Sequence, residues 1–214
     1  MKKFVSFFAV FLFITLFAVA SEAGDRNIPV EVAQLTDSLK KQFAPDRRVA
    51  LLDVDYSFSD KNVMLRGVTT SAEAKNALLK ELARKGYTVM YCLELLPDVK
   101  GLEGKTCGII NVSVANMRVA PDFSSEMMTQ SLMGMPVRVL QRDGWVRIQT
   151  PDNYIAWVHR VGVHPVTEEE MAAWNKAEKI VVTAHYGFVY SEPNQTSQTV
   201  SDVVAGNRLK WEGS

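Results

Sequence analysis

Histidine and cysteine are scarce in this chain of 214 residues, with three of the first and two of the second. His159, His164 and His185 form no i,i+4 pair, and no Cys-x-x-Cys occurs, so the spacings that build protein metal sites are missing. No cofactor is expected. A Gly-x-Ser-x-Gly elbow is also absent, which removes the usual signal for a serine nucleophile. Cys107 precedes all three histidines, so chain order alone permits a Cys–His pair. Yet Thr106-Cys107-Gly108-Ile109 reads into a strand, not into a helix N-terminus that would lower the thiol pKa. Excess charge is lacking too: 24 basic residues face 24 acidic ones. That balance argues against nucleic acid and against charge-driven adhesion to an anionic surface.

Long apolar runs are equally rare. The one candidate, Phe4 to Phe17, is interrupted by Ser6 and Thr15 and falls short of the roughly 20 residues that span a bilayer. Lys2 and Lys3 precede it, and Ala18-Val19-Ala20 supplies the small residues of a cleavage site, with Ser21-Glu22-Ala23 as a second. Residues 1–20 therefore read as a signal peptide. No Cys lies near the cut, which excludes a lipid-modified N-terminus. Removing the segment leaves 22 basic and 24 acidic residues. The expectation is a secreted, periplasmic protein without a stable membrane anchor. In an oxidising compartment Cys92 and Cys107 are a possible disulfide, or two strand residues that never meet.

The remaining chain reads as small units. In residues 28–97, Val32, Leu35, Leu39 and Phe43 recur at helical spacing, and Pro45 closes that helix. Two strand-like runs follow around the turn Ser59-Asp60-Lys61-Asn62. Thr70 with Glu73 has the spacing of a capping box, Ala74, Ala77, Leu78 and Leu82 form a stripe, and Gly86 ends the second helix. Tyr87 to Leu95 makes a third strand. This αββαβ order resembles a BON-type domain, an α+β binding fold without catalytic residues of its own. Asp98 to Lys105 is a connector, and residues 109–164 then switch to short strands and turns. Thr167 to Glu170 is a second capping box, opening a linker helix within 166–178, with three acids to complement the helix dipole. Residues 180–214 are strand-rich again.

In the middle unit Val137, Val139, Val146 and Ile148 alternate as one inward face, and Gly144 suits a hairpin turn. Trp145 reads as barrel core, and Trp157 divides between core and ligand contact. Val114-Ala115-Asn116-Met117-Arg118-Val119-Ala120-Pro121, Gly134 to Leu140, Asp143-Gly144-Trp145-Val146-Arg147-Ile148 and Tyr154-Ile155-Ala156-Trp157-Val158 follow in an order that resembles a bacterial SH3 domain.

Ser124 to Gln130, together with the Tyr154 block, is similar to the first SH3 domain of NlpC-type γ-D-glutamyl-L-diamino-acid endopeptidases, the dipeptidyl-peptidase VI-like enzymes. That family cuts peptidoglycan stem peptides and carries two SH3 domains ahead of a cysteine peptidase domain. The resemblance makes Val189 to Pro193 and Val200 to Trp211 the start of a second, incomplete SH3 barrel. It also implies that the first barrel helps hold the free amino group of the terminal L-Ala, with Glu126 as the acid and Tyr154 beside it. Trp157 joins them as a substrate-binding candidate. An Asp-Cys-Ser that would begin the peptidase domain is not found in this sequence. The chain is therefore expected to be no enzyme itself. It reads as a stem-peptide-binding portion of a wall endopeptidase, a truncated form, or alternatively as a stand-alone adaptor. The cysteine peptidase domain would then be supplied in cis or in trans.

Overall fold

The computed structural model describes residues 30–213. The signal segment lies outside the described residues. Among those described, no helix is long and apolar enough to cross a membrane.

The first unit runs α1 (Val30–Phe43), β1 (Leu52–Ser59), β2 (Asn62–Thr69), α2 (Ala72–Arg84) and β3 (Thr88–Leu95). A two-residue turn at Asp60, whose φ is 53°, joins β1 to β2 as an antiparallel pair. The α2 crossover makes β3 parallel to β2, so the sheet order is β1-β2-β3. Val32 and Leu39 of α1 and Ala74, Leu78 and Leu82 of α2 pack on one face, against Leu52, Val63, Leu65 and Leu93. Among the described residues no helix packs on the opposite face. The cap of α2 is displaced by one residue from the expected position. Ser71 is the N-cap, accepting the Ala74 N–H at 3.0 Å, whereas the Thr70 hydroxyl accepts the Leu51 N–H at 3.0 Å. Thr70 is spent on joining the chain entering β1 to the end of β2, and the cap passes to its neighbour.

The second unit is a seven-stranded antiparallel sheet curled around one core as a partly open barrel. Its strands are β4 (Cys107–Ile110), β5 (Val114–Arg118), β6 (Met127–Leu132), β7 (Pro136–Asp143), β8 (Trp145–Gln149), β9 (Ile155–His159) and β10 (Val163–Val166), in sheet order β10-β4-β7-β8-β9-β5-β6. The core comprises Ile110, Met117, Val137, Val139, Val146, Ile148 and Val158. Gly144, at φ 65°, turns β7 into β8. Leu140 breaks the pattern, because Val139 and Leu140 are adjacent and both fully buried. A bulge explains this. Val139 pairs with Ile148 and Gln141 with Arg147, leaving Leu140 without a partner and free to point elsewhere.

It points at the first unit. Leu140 and Ile155 of the barrel form a separate buried cluster with Leu51 and Leu96, and Val68 packs beside them. Backbone bonds join the units as well. Ile155 N–H donates to the Arg48 carbonyl at 2.6 Å, and Asp98 N–H donates to the Leu140 carbonyl at 2.9 Å. The connector contributes too, since Leu102 enters the barrel core.

Helix α3 (Glu168–Lys176) follows, with both halves of the Thr167/Glu170 capping box formed. The third unit holds β11 (Lys179–Val181), β12 (Tyr186–Tyr190), β13 (Thr199–Val204) and β14 (Arg208–Lys210), paired β11–β14 and β12–β13. The β12–β13 hairpin repeats β5–β6 with a constant offset. Arg118 pairs with Met127 beside a bulge, and Tyr190 pairs with Thr199 beside a bulge, each 72 residues on. Ser125 Oγ accepts the Ala120 N–H, and Ser197 Oγ accepts the Glu192 N–H. This unit is docked on the barrel. Asn207, fully buried, donates to the Ser113 carbonyl at 2.8 Å, Ser113 Oγ donates to Asp202 at 2.7 Å, and Arg208 N–H donates to the Met133 carbonyl at 2.9 Å. Tyr186, Phe188, Val200 and Trp211 remain exposed.

Candidate functional site

Period-two alternation decides what the barrel shows to its surroundings. With Val146 and Ile148 inside, Trp145, Arg147 and Gln149 must lie on the outer face of β8. On β9, Trp157 and His159 are half-buried outward residues, and cross-strand pairing sets Trp145 against His159 and Arg147 against Trp157. Both tryptophans therefore sit outside the core. This corrects the reading of Trp145 as barrel filling: Met117, Val139 and Ile148 occupy that space.

Two sites share this outer face. At one end the Phe123 ring lies 4.9 Å from Trp145 and 5.0 Å from His159, with Trp145 and His159 edge to face at 5.3 Å. At the other end a cleft of about 300 Å³ opens between the barrel and the first unit. Barrel side chains Met128, Arg147, Ala156 and Trp157 form one wall, with Val119 and Ala120 at its lip. Arg47, Leu51 and Asp53 face them.

Arg147 dominates the cleft electrostatically. Its side chain is 14 % exposed, and its guanidinium stands over the Trp157 ring at 5.1 Å. Burial pushes its pKa below the ordinary arginine value, and Asp53 only partly offsets that. The Asp53 carboxylate is 3.6 Å from Nη2 and is itself 56 % exposed. The buried Nε–H has no acceptor among the described residues. Sequence reading missed Arg147 and Asp53, because nothing local signals a pair 94 positions apart on different sheets.

The sequence candidates fall as follows. Trp157 is in the cleft wall. Tyr154 is half-buried immediately before the wall residues Ile155 and Ala156, with the Arg48 guanidinium 5.9 Å from its ring centre. Glu126 is exposed, and its backbone carbonyl accepts the N–H of Val119 at the lip at 3.0 Å. Neither the Glu126 nor the Tyr154 side chain lines the cleft. Cys92 and Cys107 are both free thiols, so the possible disulfide is not formed. They sit on separate sheets, Cys92 exposed on β3 and Cys107 on β4 opposite Val166. Burial first, and then Glu168, pushes the Cys107 thiol pKa up, the direction opposite to an activated nucleophile.

Residues 117–161 match the family model of the bacterial dipeptidyl-peptidase SH3 domain. The barrel is a bacterial SH3 domain of this type. Its cleft-lining residues Val119, Met128, Arg147 and Trp157 all fall inside the matched segment. Among solved structures, the chain is similar to an NlpC/P60 family protein from Bacillus cereus, at 19 % identity and TM-score 0.41, over 50 % of this chain and 48 % of that one. It is also similar to an NlpC/P60 endopeptidase from Photobacterium damselae subsp. piscicida, at 11 % identity and TM-score 0.42, over 91 % of this chain and 43 % of the other. NlpC2 from Trichomonas vaginalis is a third, at 14 % identity and TM-score 0.26, over 48 % and 36 %. The chain spans less than half the length of each. No curated protein matches it.

Proposed function

We propose that this chain is the non-catalytic, peptide-binding portion of a cell-wall peptide endopeptidase, secreted to the periplasm, where its SH3 domain holds peptidoglycan stem peptides. The observation that carries this reading is the outward Trp157, stacked with Arg147 in the cleft wall that falls inside the segment matching the dipeptidyl-peptidase SH3 family. A barrel whose tryptophans were structural would bury them. This one lines a concave surface with an indole and a cation, a mixed apolar and polar wall suited to a short peptide. Glu126 and Tyr154 flank that wall and are assigned the free amine of the terminal L-Ala, which needs a carboxylate and an aromatic face.

The α1-β1-β2-α2-β3 order supports a BON-like first unit, here one side of the cleft rather than a separate module. The 72-residue repeat supports reading β12–β14 as the front of a second SH3 barrel. Gly187 and Val189 would then hold the places of the core residues Ala115 and Met117. A cysteine peptidase domain, acting in cis or in trans, would supply the chemistry.

Titration calorimetry of the chain from residue 21 with purified muropeptides tests the reading. Stems with a free L-Ala amine should bind at least fivefold more tightly than N-acetylated ones, and Glu126→Ala should abolish that preference. Equal binding of both forms by the unaltered chain would remove the amine assignment. No binding of either would remove the function.

A further inference from the structure

The cleft's charge is out of balance, and the imbalance has a sign. Arg47 and Arg147 supply two cations and Asp53 one anion. Arg147 is largely buried, its Nε–H is unpaired, and its one carboxylate neighbour is loose at 3.6 Å and more than half in solvent. A guanidinium normally recovers its lost hydration through short, paired bonds to a carboxylate. Here the protein provides the cation, orients it on the Trp157 indole and leaves that pairing incomplete. Arg118, whose partner across the sheet is Trp157, does not relieve the excess. Its Nη1 donates to the Ser125 carbonyl at 2.6 Å, and among the described residues no carboxylate is bonded to it. The apolar wall, Leu51, Met128, Ala156 and the indole, limits the competition from water.

We propose that this cleft is a carboxylate-recognition site, in which Arg147 stacked on Trp157 binds a ligand carboxylate and Arg47 at the mouth reinforces it. Resting on the wall-peptide reading, the inference names the group read. The free α-carboxylate of the γ-linked D-Glu that follows L-Ala would enter the cleft, and its amidated form would be rejected. A site built for a charged group rejects the isostere that lacks the charge, because its buried cation is then left unpaired. Asp53 competes with the ligand for the same guanidinium. This gives the inference an unusual sign: removing an acidic residue should strengthen binding.

The test compares two pairs of probes by calorimetry on the chain from residue 21. The first pair is a muropeptide with the D-Glu α-carboxylate free and the same muropeptide with it amidated. The second is N-acetyl-trialanine with a free carboxylate and its C-terminal amide. The acid of each pair should bind at least tenfold more tightly than the amide. Asp53→Asn, at an exposed position, should raise acid affinity several-fold, and Arg47→Gln should lower it. With Nε-labelled arginine, the Arg147 Nε–H resonance should shift on adding acid and not amide. That readout needs no variant that might unfold. Equal affinity for acid and amide muropeptides, or Asp53→Asn without effect, overturns the carboxylate site while leaving wall-peptide binding intact. Tight, Arg47-dependent binding of the trialanine acid with no muropeptide binding keeps the carboxylate site and discards the wall peptide as its ligand.

Discussion

Replacing Asn207 with alanine should loosen the third unit and spare the barrel it leans on. The Asn207 side chain is fully buried and works in two directions. Its oxygen accepts the Val204 N–H at 2.9 Å, closing the turn between β13 and β14, and its Nδ2 donates to the Ser113 carbonyl at 2.8 Å, tying the turn to the barrel. Each neutral bond contributes about 0.5–1.5 kcal/mol net, and a partly buried N–H left without a partner costs about 1 kcal/mol more. The Ser113 carbonyl still receives the Met133 N–H, so its loss is cushioned. The sum is about 2–3 kcal/mol, a roughly 30- to 150-fold rise in local opening. Hydrogen exchange followed by mass spectrometry reads this directly. Peptides covering 186–210 should lose protection by that factor, and peptides covering 137–158 should keep theirs. Equal loss in both regions would mean that the unit and the barrel open as one body. No loss in either would mean that Asn207 is not what docks it.

Ile148→Ala, which empties a fully buried barrel position, should cost about 3–4 kcal/mol, whereas Trp145→Ala on the outer face should cost under about 1.5 kcal/mol. Urea unfolding of the two variants decides, and a larger loss for Trp145→Ala would restore the tryptophan to the core. At low pH, the Arg48 side chain first and its backbone N–H second hold the Asp46 carboxyl down at about 2. The folded value lies below the unfolded carboxylate value of about 3.9, so the contribution of this pair is complete above that pH and is lost as the pH falls through 2. A carboxyl-carbon titration should find the Asp46 midpoint near 2, returning toward 3.9 in Arg48→Ala. A native midpoint near 3.9 would refute the pairing.

How far the sequence led depends on the range over which each interaction acts. Local patterns were readable. Helix α1 ends ahead of Pro45, Gly144 turns the β7–β8 hairpin, and Thr167 with Glu170 caps α3. Val137, Val139, Val146 and Ile148 all face inward as their spacing requires. The same spacing also settles Trp145, since a neighbour of an inward residue on an unbroken strand faces out. Its size suggested core, but on an unbroken strand period outranks size. Thr70 misled for a related reason: a capping signature matches by type and interval, and the Leu51 N–H that engages Thr70 arrives from 19 residues away.

The cleft itself was not legible, and its construction shows why. Its two walls are brought together by Leu140, which reaches the first unit only because a bulge removes it from the β7 ladder. Nothing in Val139-Leu140-Gln141 announces an extra residue, so the sequence offered two modules on a connector instead of two modules sharing a buried cluster. Once Leu140 and Ile155 seat against Leu51 and Leu96, the Arg48 carbonyl meets the Ile155 N–H, and Asp53 arrives beside Arg147. The family resemblance could point to Trp157 because that residue belongs to the barrel alone. Arg147's role could not be foreseen in this way, because half of its environment belongs to the other unit. A site formed by the docking of two units is specified by the contacts that dock them, and among these Leu140 is the one that a regular ladder would have turned away. Restoring the regular ladder by deleting Leu140 should therefore abolish the cleft while leaving both cores able to fold.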